Sequence, residues 1–99
     1  MIVEHAILQV RPGQSVAFAA AMVQARPLVA VQAGFQSIEV RPSSDDPGRY
    51  LLLIIWDTVA SHRDGFRLSP EYQQWCALLH LFYDPMPVVH YYGRSLFDD

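Results

Sequence analysis

The sequence predicts an α+β domain in which two helices cover one face of a four-stranded antiparallel sheet, in the order β-α-β-β-α-β. Three observations carry that prediction. Short apolar segments rich in β-branched and aromatic residues stand at 1–10, 35–42, 49–57 and 88–96. Two stretches of helical composition, 14–34 and 69–83, separate the first from the second of these and the third from the fourth. The second and third apolar segments are joined by a short polar turn instead, as a hairpin requires.

The first strand, MIVEHAILQV, alternates. Ile2, Ala6, Leu8 and Val10 share one face, and Val3, His5, Ile7 and Gln9 share the other. RPG at 11–13 is a turn. The Ala-rich helix over 14–34 has Gly34 as its stop, and Pro27 inside it removes a backbone hydrogen bond, so a kink or short break is expected there. FQSIEVRP at 35–42 is the second strand, and SSDDPG at 43–48 is turn chemistry. The third, RYLLLIIWD, is apolar at every position from Tyr50 to Trp56, which predicts burial of both its faces. Thr58 is placed to cap a short helix reaching about Gly65, with Asp57 serving the same helix start. Ser69 caps the next helix, with Pro70 at its first position and Glu71 in its first turn; it should run to about Tyr83, where DPMP ends it. VVHYYGRSL at 88–96 is the last strand.

This order is the split βαβ, ferredoxin-like arrangement, with one extra short helix. The length, 99 residues, suits a single domain spanning 1–99. Hydrophobic residues make up 52% and charged residues only 17%, against about a quarter charged in an average domain. A chain this small cannot hide that much apolar surface alone, which predicts a homo-oligomer, an apolar ligand cavity, or both. A two-fold dimer packing sheet against sheet would cover the face that the helices leave bare. The net charge is −3 and the cations are seven scattered arginines, which argues against nucleic-acid binding. Glu4 and His5 interrupt the opening apolar run, arguing against a signal peptide, and no run reaches the roughly 18 residues of a membrane span. One cysteine fits a reducing, cytoplasmic setting.

Candidate functional residues concentrate in SPEYQQWCALLHLFYDP. Tyr72, Trp75, Cys76, Leu79, Phe82 and Tyr83 recur at helical spacing and share a face, with His80 at its border. Packing on the sheet explains such a stripe; so does the wall of a pocket, because buried Tyr and Trp carry polar handles that need partners. Of the four histidines, His5 stands mid-strand, His62 and His80 on helices, and His90 on the last strand. None has a short metal-binding spacing, so no metal site is predicted. Cys76 lacks a Cys-x-x-Cys partner, Ser61 and Ser69 look like helix starts, and no glycine-rich phosphate loop or dinucleotide fingerprint exists.

Four stretches, ARPLVA, RYLLLIIWD, HRDGFRLSPEYQQW and ALLHLFYDPMPVVHYY, resemble the antibiotic biosynthesis monooxygenase (ABM) family of small bacterial proteins. The resemblance covers residues 1–93 and is most specific over 50–92. It implies a ferredoxin-like protomer that dimerises into an α+β barrel, with the C-terminal strand reaching the partner. It also implies a pocket within each protomer, presenting His5, Trp56, His62, Phe66, Trp75, Cys76, His80 and Tyr83.

Some relatives oxidise phenolic polyketides with O₂ and neither metal nor flavin, some degrade haem, and some process quinols. The first chemistry needs an apolar pocket that binds an electron-rich aromatic, helps to deprotonate it and excludes water. By this resemblance Trp56, Phe66, Tyr72, Trp75, Cys76, Leu79 and Tyr83 would be substrate contacts. His5 or His80, then His62, would be the base, and Arg67 would stabilise an oxyanion if it points inward. The haem branch fits less well. Cys76 stands where the iron-ligating histidine would be, Phe66 where a tryptophan would be, and His5 near an asparagine position.

The expectation is therefore a cofactor-independent monooxygenase for a small aromatic or quinol-like compound. A non-catalytic ligand-binding or stress-response dimer of the same fold is the alternative, and a haem-binding or haem-degrading protein a third reading. A core filled by Trp75, Leu79 and Tyr83 would favour the binding dimer; an open cavity faced by a histidine would favour the enzyme.

Overall fold

The computed structural model describes residues 1–97. Its strands are β1 (Ile2–Gln9), β2 (Phe35–Pro42), β3 (Arg49–Trp56) and β4 (His90–Tyr92), and its α-helices are α1 (Ser15–Ala30) and α2 (Pro70–Leu79). They form one antiparallel sheet in the order β2-β3-β1-β4, the ferredoxin-like topology expected from the element order.

The core lies between the sheet and the helices. Phe18, Met22, Ala25 and Val29 of α1 and Trp75 and Leu79 of α2 pack on Ala6, Leu8, Leu52, Ile54 and Trp56. The inward row of β1 is thus Ile2, Glu4, Ala6, Leu8, continued by Val10. Opposite it, the sheet's outer face carries Val3, His5, Ile7, Leu51, Leu53 and Ile55, in cross-strand register. Ile7 stays 44% exposed. β3 is therefore fully buried on only one face of the protomer: Leu52, Ile54 and Trp56 are buried, and Leu51, Leu53 and Ile55 are half-buried.

Pro27 does not break α1, which continues to Ala30; the proline costs its own N–H but stands on the exposed side of the last turn. The helix stops short of Gly34. That glycine instead forms the turn into β2 with φ +86°, and its carbonyl accepts the Asp57 amide at 2.9 Å. A Cβ there would collide with the Asp57 carboxylate and the Ser61 hydroxyl.

The connection after β3 is less regular than the expected short helix. Thr58 Oγ1 does accept the Ser61 amide at 3.2 Å, and Asp57 Oδ1 accepts the Thr58 amide at 2.6 Å. The segment then winds as a π-helical turn, Ser61–Gly65, and a 3₁₀ turn, Phe66–Leu68. Ser69 ends it and starts α2: its Oγ accepts the Tyr72 amide at 3.2 Å and donates to the Phe66 carbonyl at 2.6 Å. The α-helix ends at Leu79, and His80–Phe82 tighten into a 3₁₀ turn. β4 spans three residues, far fewer than the stretch 88–96 expected for it. No helix among the described residues is long and apolar enough to cross a membrane.

Candidate functional site

A cavity of about 120 Å³ lies between the helical layer and the middle of the sheet. Glu4, Ala6 and Leu8 of β1 and Leu52 of β3 form its floor. His62, Phe66 and Arg67 come from the irregular turns, Tyr72 and Trp75 from α2, and His80 and Tyr83 from the end of that helix. Met86, Pro87 and Val89 close the remaining side. The chain just before that segment is tied to the end of β1 and the turn after it: the Arg11 amide donates to the Phe82 carbonyl at 2.9 Å, and the Asp84 amide to the Gln9 carbonyl at 2.9 Å.

The walls are largely aromatic. Phe66 meets Trp75 and Tyr72 edge-on, with ring centroids 5.5 and 5.2 Å apart, and lies 6.1 Å from Trp56. The π-helical turn brings His62, one α-turn before Phe66, to the same interior side, where it lies 5.6 Å from the Trp56 ring.

The polar centre of the site is Glu4. Its side chain points into the core with only 4% of the residue exposed, and Trp56 Nε1 donates to its Oε1 at 2.9 Å. His62, 3% exposed, brings Nε2 to 3.4 Å from the same oxygen, a contact longer than a well-formed hydrogen bond. The other imidazole nitrogen, Nδ1, is 2.6 Å from the Tyr91 hydroxyl. Tyr91 reaches this position because β4 pairs it directly opposite Glu4.

Burial pushes the Glu4 carboxyl up to about 7, against the opposing pull of the Trp56 hydrogen bond and the Arg67 charge. Burial, reinforced by the same arginine, pulls His62 down to about 4. Between these values the proton resides on Glu4 and His62 is neutral, so no ion pair forms between them. Burial also lowers His80 and raises Tyr83. Arg67 is exposed at the edge of the cavity and, among the described residues, has neither a hydrogen bond nor an ion pair. It also borders a shallower hollow of about 360 Å³ with Tyr72, Gln73 and Cys76.

The structure gathers His62, Phe66, Arg67, Tyr72, Trp75, His80 and Tyr83 around one space. Four expected site residues lie elsewhere. His5 is on the outer sheet face, opposite His90 and edge-on to Tyr92 at 5.6 Å, because the Ile2–Leu8 row rather than the His5 row turns toward the helices. Its Nδ1 is buried and, among the described residues, has no hydrogen-bond partner. Trp56 stands behind Glu4 as its hydrogen-bond donor, Leu79 is fully packed in the core, and Cys76 faces the outer hollow. Among the described residues no group of three or more His, Cys, Asp and Glu side chains is arranged to hold a metal ion. Glu4 and Tyr91 were missed by sequence reasoning. The available signal was an acid at position 4, in register with Ile2, Ala6 and Leu8 on an otherwise apolar row.

The ABM model matches residues 1–78. YczJ of Bacillus subtilis (strain 168), an uncharacterised protein, is 38% identical over 92 residues, covering 93% of this chain and 97% of its own length. A crystal structure from Bordetella bronchiseptica that carries the ABM name is 35% identical and superposes with a TM-score of 0.91, covering 96% of this chain and 97% of the other. SnoaB of Streptomyces nogalater, a cofactor-independent oxygenase, shares the fold with a TM-score of 0.83 at 14% identity, over 98% of this chain and 97% of its own. Sequence match and structural superposition agree along nearly the whole chain: it belongs to the antibiotic biosynthesis monooxygenase family.

Proposed function

We propose that this protein is a cofactor-independent monooxygenase that oxidises a small aromatic, phenolic or quinol-like compound with O₂, and that it works as a homodimer joined through the outer sheet face. The observation that carries the reading is the composition of the cavity: aromatic walls around a floor that holds the buried Glu4 carboxyl, whose proton affinity burial raises. Oxidation by triplet O₂ without a cofactor requires an electron-rich anion, so the site must remove a proton from the substrate and keep water from the radical pair. Phe66, Tyr72 and Trp75 supply ring surface, and Arg67 supplies a positive charge at the rim. The likeness to SnoaB supports the reading at the level of the fold.

The volume sets a size limit. A cavity of about 150 Å³ holds one benzene ring, so about 120 Å³ is slightly small even for that: a single small ring enters only if the lining at Met86–Val89 gives a little, and a polycycle only if it shifts well outward. That narrowness also favours a second reading, a binding dimer without catalysis, since enzyme pockets for whole ligands are typically about 300 Å³ or more.

Oxygen consumption distinguishes the two. Purified protein, with chelator present and no flavin added, should consume O₂ in the presence of hydroquinones or simple phenols and return the oxygenated product. Saturable binding of the same compounds without O₂ uptake above the protein-free rate would instead establish the binding dimer.

A further inference from the structure

We infer that Glu4 is the group that takes the substrate's proton, and that His62, Trp56 and Tyr91 are positioning residues that hold it ready. The inference deepens the oxygenase reading and rests on it for the identity of the substrate, though not for its test.

Among the described residues Glu4 is the one carboxyl in the cavity wall. It interrupts the inward row of β1 where an aliphatic residue would pack at no electrostatic cost, and a buried carboxyl is expensive to keep. Its surroundings fix its orientation. Trp56 Nε1 and His62 Nε2 both address Oε1, and among the described residues no donor is bonded to Oε2. Because Glu4 lines the cavity, Oε2 is the acceptor left for an occupant.

The histidines are less suited to the role. Tyr91 engages Nδ1 of His62, and Glu4 Oε1 stands 3.4 Å from its Nε2. His80 stands on the cavity wall, its ring tilted against Tyr83 with centroids 6.1 Å apart, and among the described residues no carboxylate pairs with it. The charges acting on Glu4 come from the elements packed around it: Arg67 favours its ionised form, and burial opposes that strongly enough to leave it near neutrality. A base of that strength is suited to reversible proton transfer at neutral pH.

The step balances as follows for a substrate with an activated CH₂ beside its ring. One C–H proton passes to Oε2 of Glu4 and its electron pair stays on carbon. The carbanion gives one electron to O₂, the resulting radical and superoxide join in a C–O bond, and the peroxide oxygen recovers the proton from Glu4. Loss of water from the hydroperoxide leaves a carbonyl, with one oxygen of O₂ in the product and one in water.

The test uses 4-nitrophenolate as an anaerobic probe. Above the ionisation of Glu4 at about 7, binding an aryl anion beside it requires the carboxyl to take up one proton. The dissociation constant of the intact protein should therefore rise about tenfold per pH unit between about pH 8 and 9. In Glu4→Gln it should be flat over the same range, with the probe still bound. Infrared spectra of the unsubstituted protein should show the carbonyl band of a protonated acid appearing when the probe binds in this range, a readout that survives if the variant does not fold. Equal slopes in both proteins would assign the proton to a histidine and overturn the inference. A flat profile without the infrared band, or failure of the intact protein to bind the probe, would overturn it equally. Because this probe experiment needs no O₂, an absence of O₂ uptake in the separate turnover assay would sink the oxygenase reading while leaving this result to stand on its own.

Discussion

Glu4 and His62 face each other across 3.4 Å inside the protein, and burial moves their proton affinities in opposite senses, raising the carboxyl and lowering the imidazole. In the unfolded chain Glu4 ionises near 4.5 and His62 near 6.5; in the folded protein the two stand at about 7 and about 4. Between about pH 4.5 and 6.5 each state thus holds one proton on the pair, though on different residues.

The unfolding free energy should accordingly show no net slope from this pair over that window. Glu4→Gln leaves only the depressed histidine, whose stabilisation is complete above 6.5 and lost as the pH falls through about 4; this variant should lose stability toward acid. His62→Gln leaves only the raised carboxyl, whose stabilisation is complete below 4.5 and lost as the pH rises through about 7; this variant should lose stability toward neutrality. Each slope should approach about 1.4 kcal/mol per pH unit at most. Urea unfolding at several pH values gives all three profiles, and parallel curves would show that the proton does not move.

Arg67 acts on the pair from the rim of the cavity. Removing its charge with Arg67→Gln should raise the Glu4 ionisation further and let His62 rise as well, because the cation disfavours protonation of both. The pH at which anaerobic probe binding begins to weaken should move upward. Affinity for anionic phenols should fall about threefold to tenfold at low salt and less at high salt, since an exposed charge is screened. Unchanged affinity together with an unchanged profile would make the arginine a surface residue only.

Trp75 is 7% exposed, packs edge-on against Phe66 and borders the cavity. Trp75→Ala should destabilise the protein by about 3 kcal/mol, at the low end for burial of an indole, because one side of the ring already faces open space. The same variant should admit bulkier aromatic ligands than the unsubstituted protein. Chemical denaturation measures the first effect and ligand titration the second; a loss well above this value with no change in ligand range would mean that the ring is plain core.

Leu53 sits at the centre of the outer sheet face, opposite His5, in the strip that the proposed dimer would cover. Leu53→Asp should yield a folded monomer by light scattering, with helix and strand content retained. A monomeric unsubstituted protein would refute the dimer.

Much of this architecture was legible in local chemistry. Period-two alternation marked β1, unbroken apolar residues marked β3, and Ser69-Pro70-Glu71 marked the start of α2, because capping and strand propensity act within a few residues. The helix stripe was legible as well, and its Tyr72, Trp75 and Tyr83 do line the cavity. The choice of inward face on β1 was not. Alternation sorts its side chains into two rows but does not say which row meets the helices when both contain apolar residues. That choice placed His5 outside and Glu4 inside. Nor could spacing reveal that β4 sets Tyr91 opposite Glu4, or that a π-helical turn carries His62 to the same point, since residues 4, 62 and 91 come together only through sheet register and packing. By itself the sequence determined which residues share a row and where helices begin. Only the tertiary structure decided which row is dry, and an acid on a dry row is chemically a different group from one in water, because desolvation sets its proton affinity.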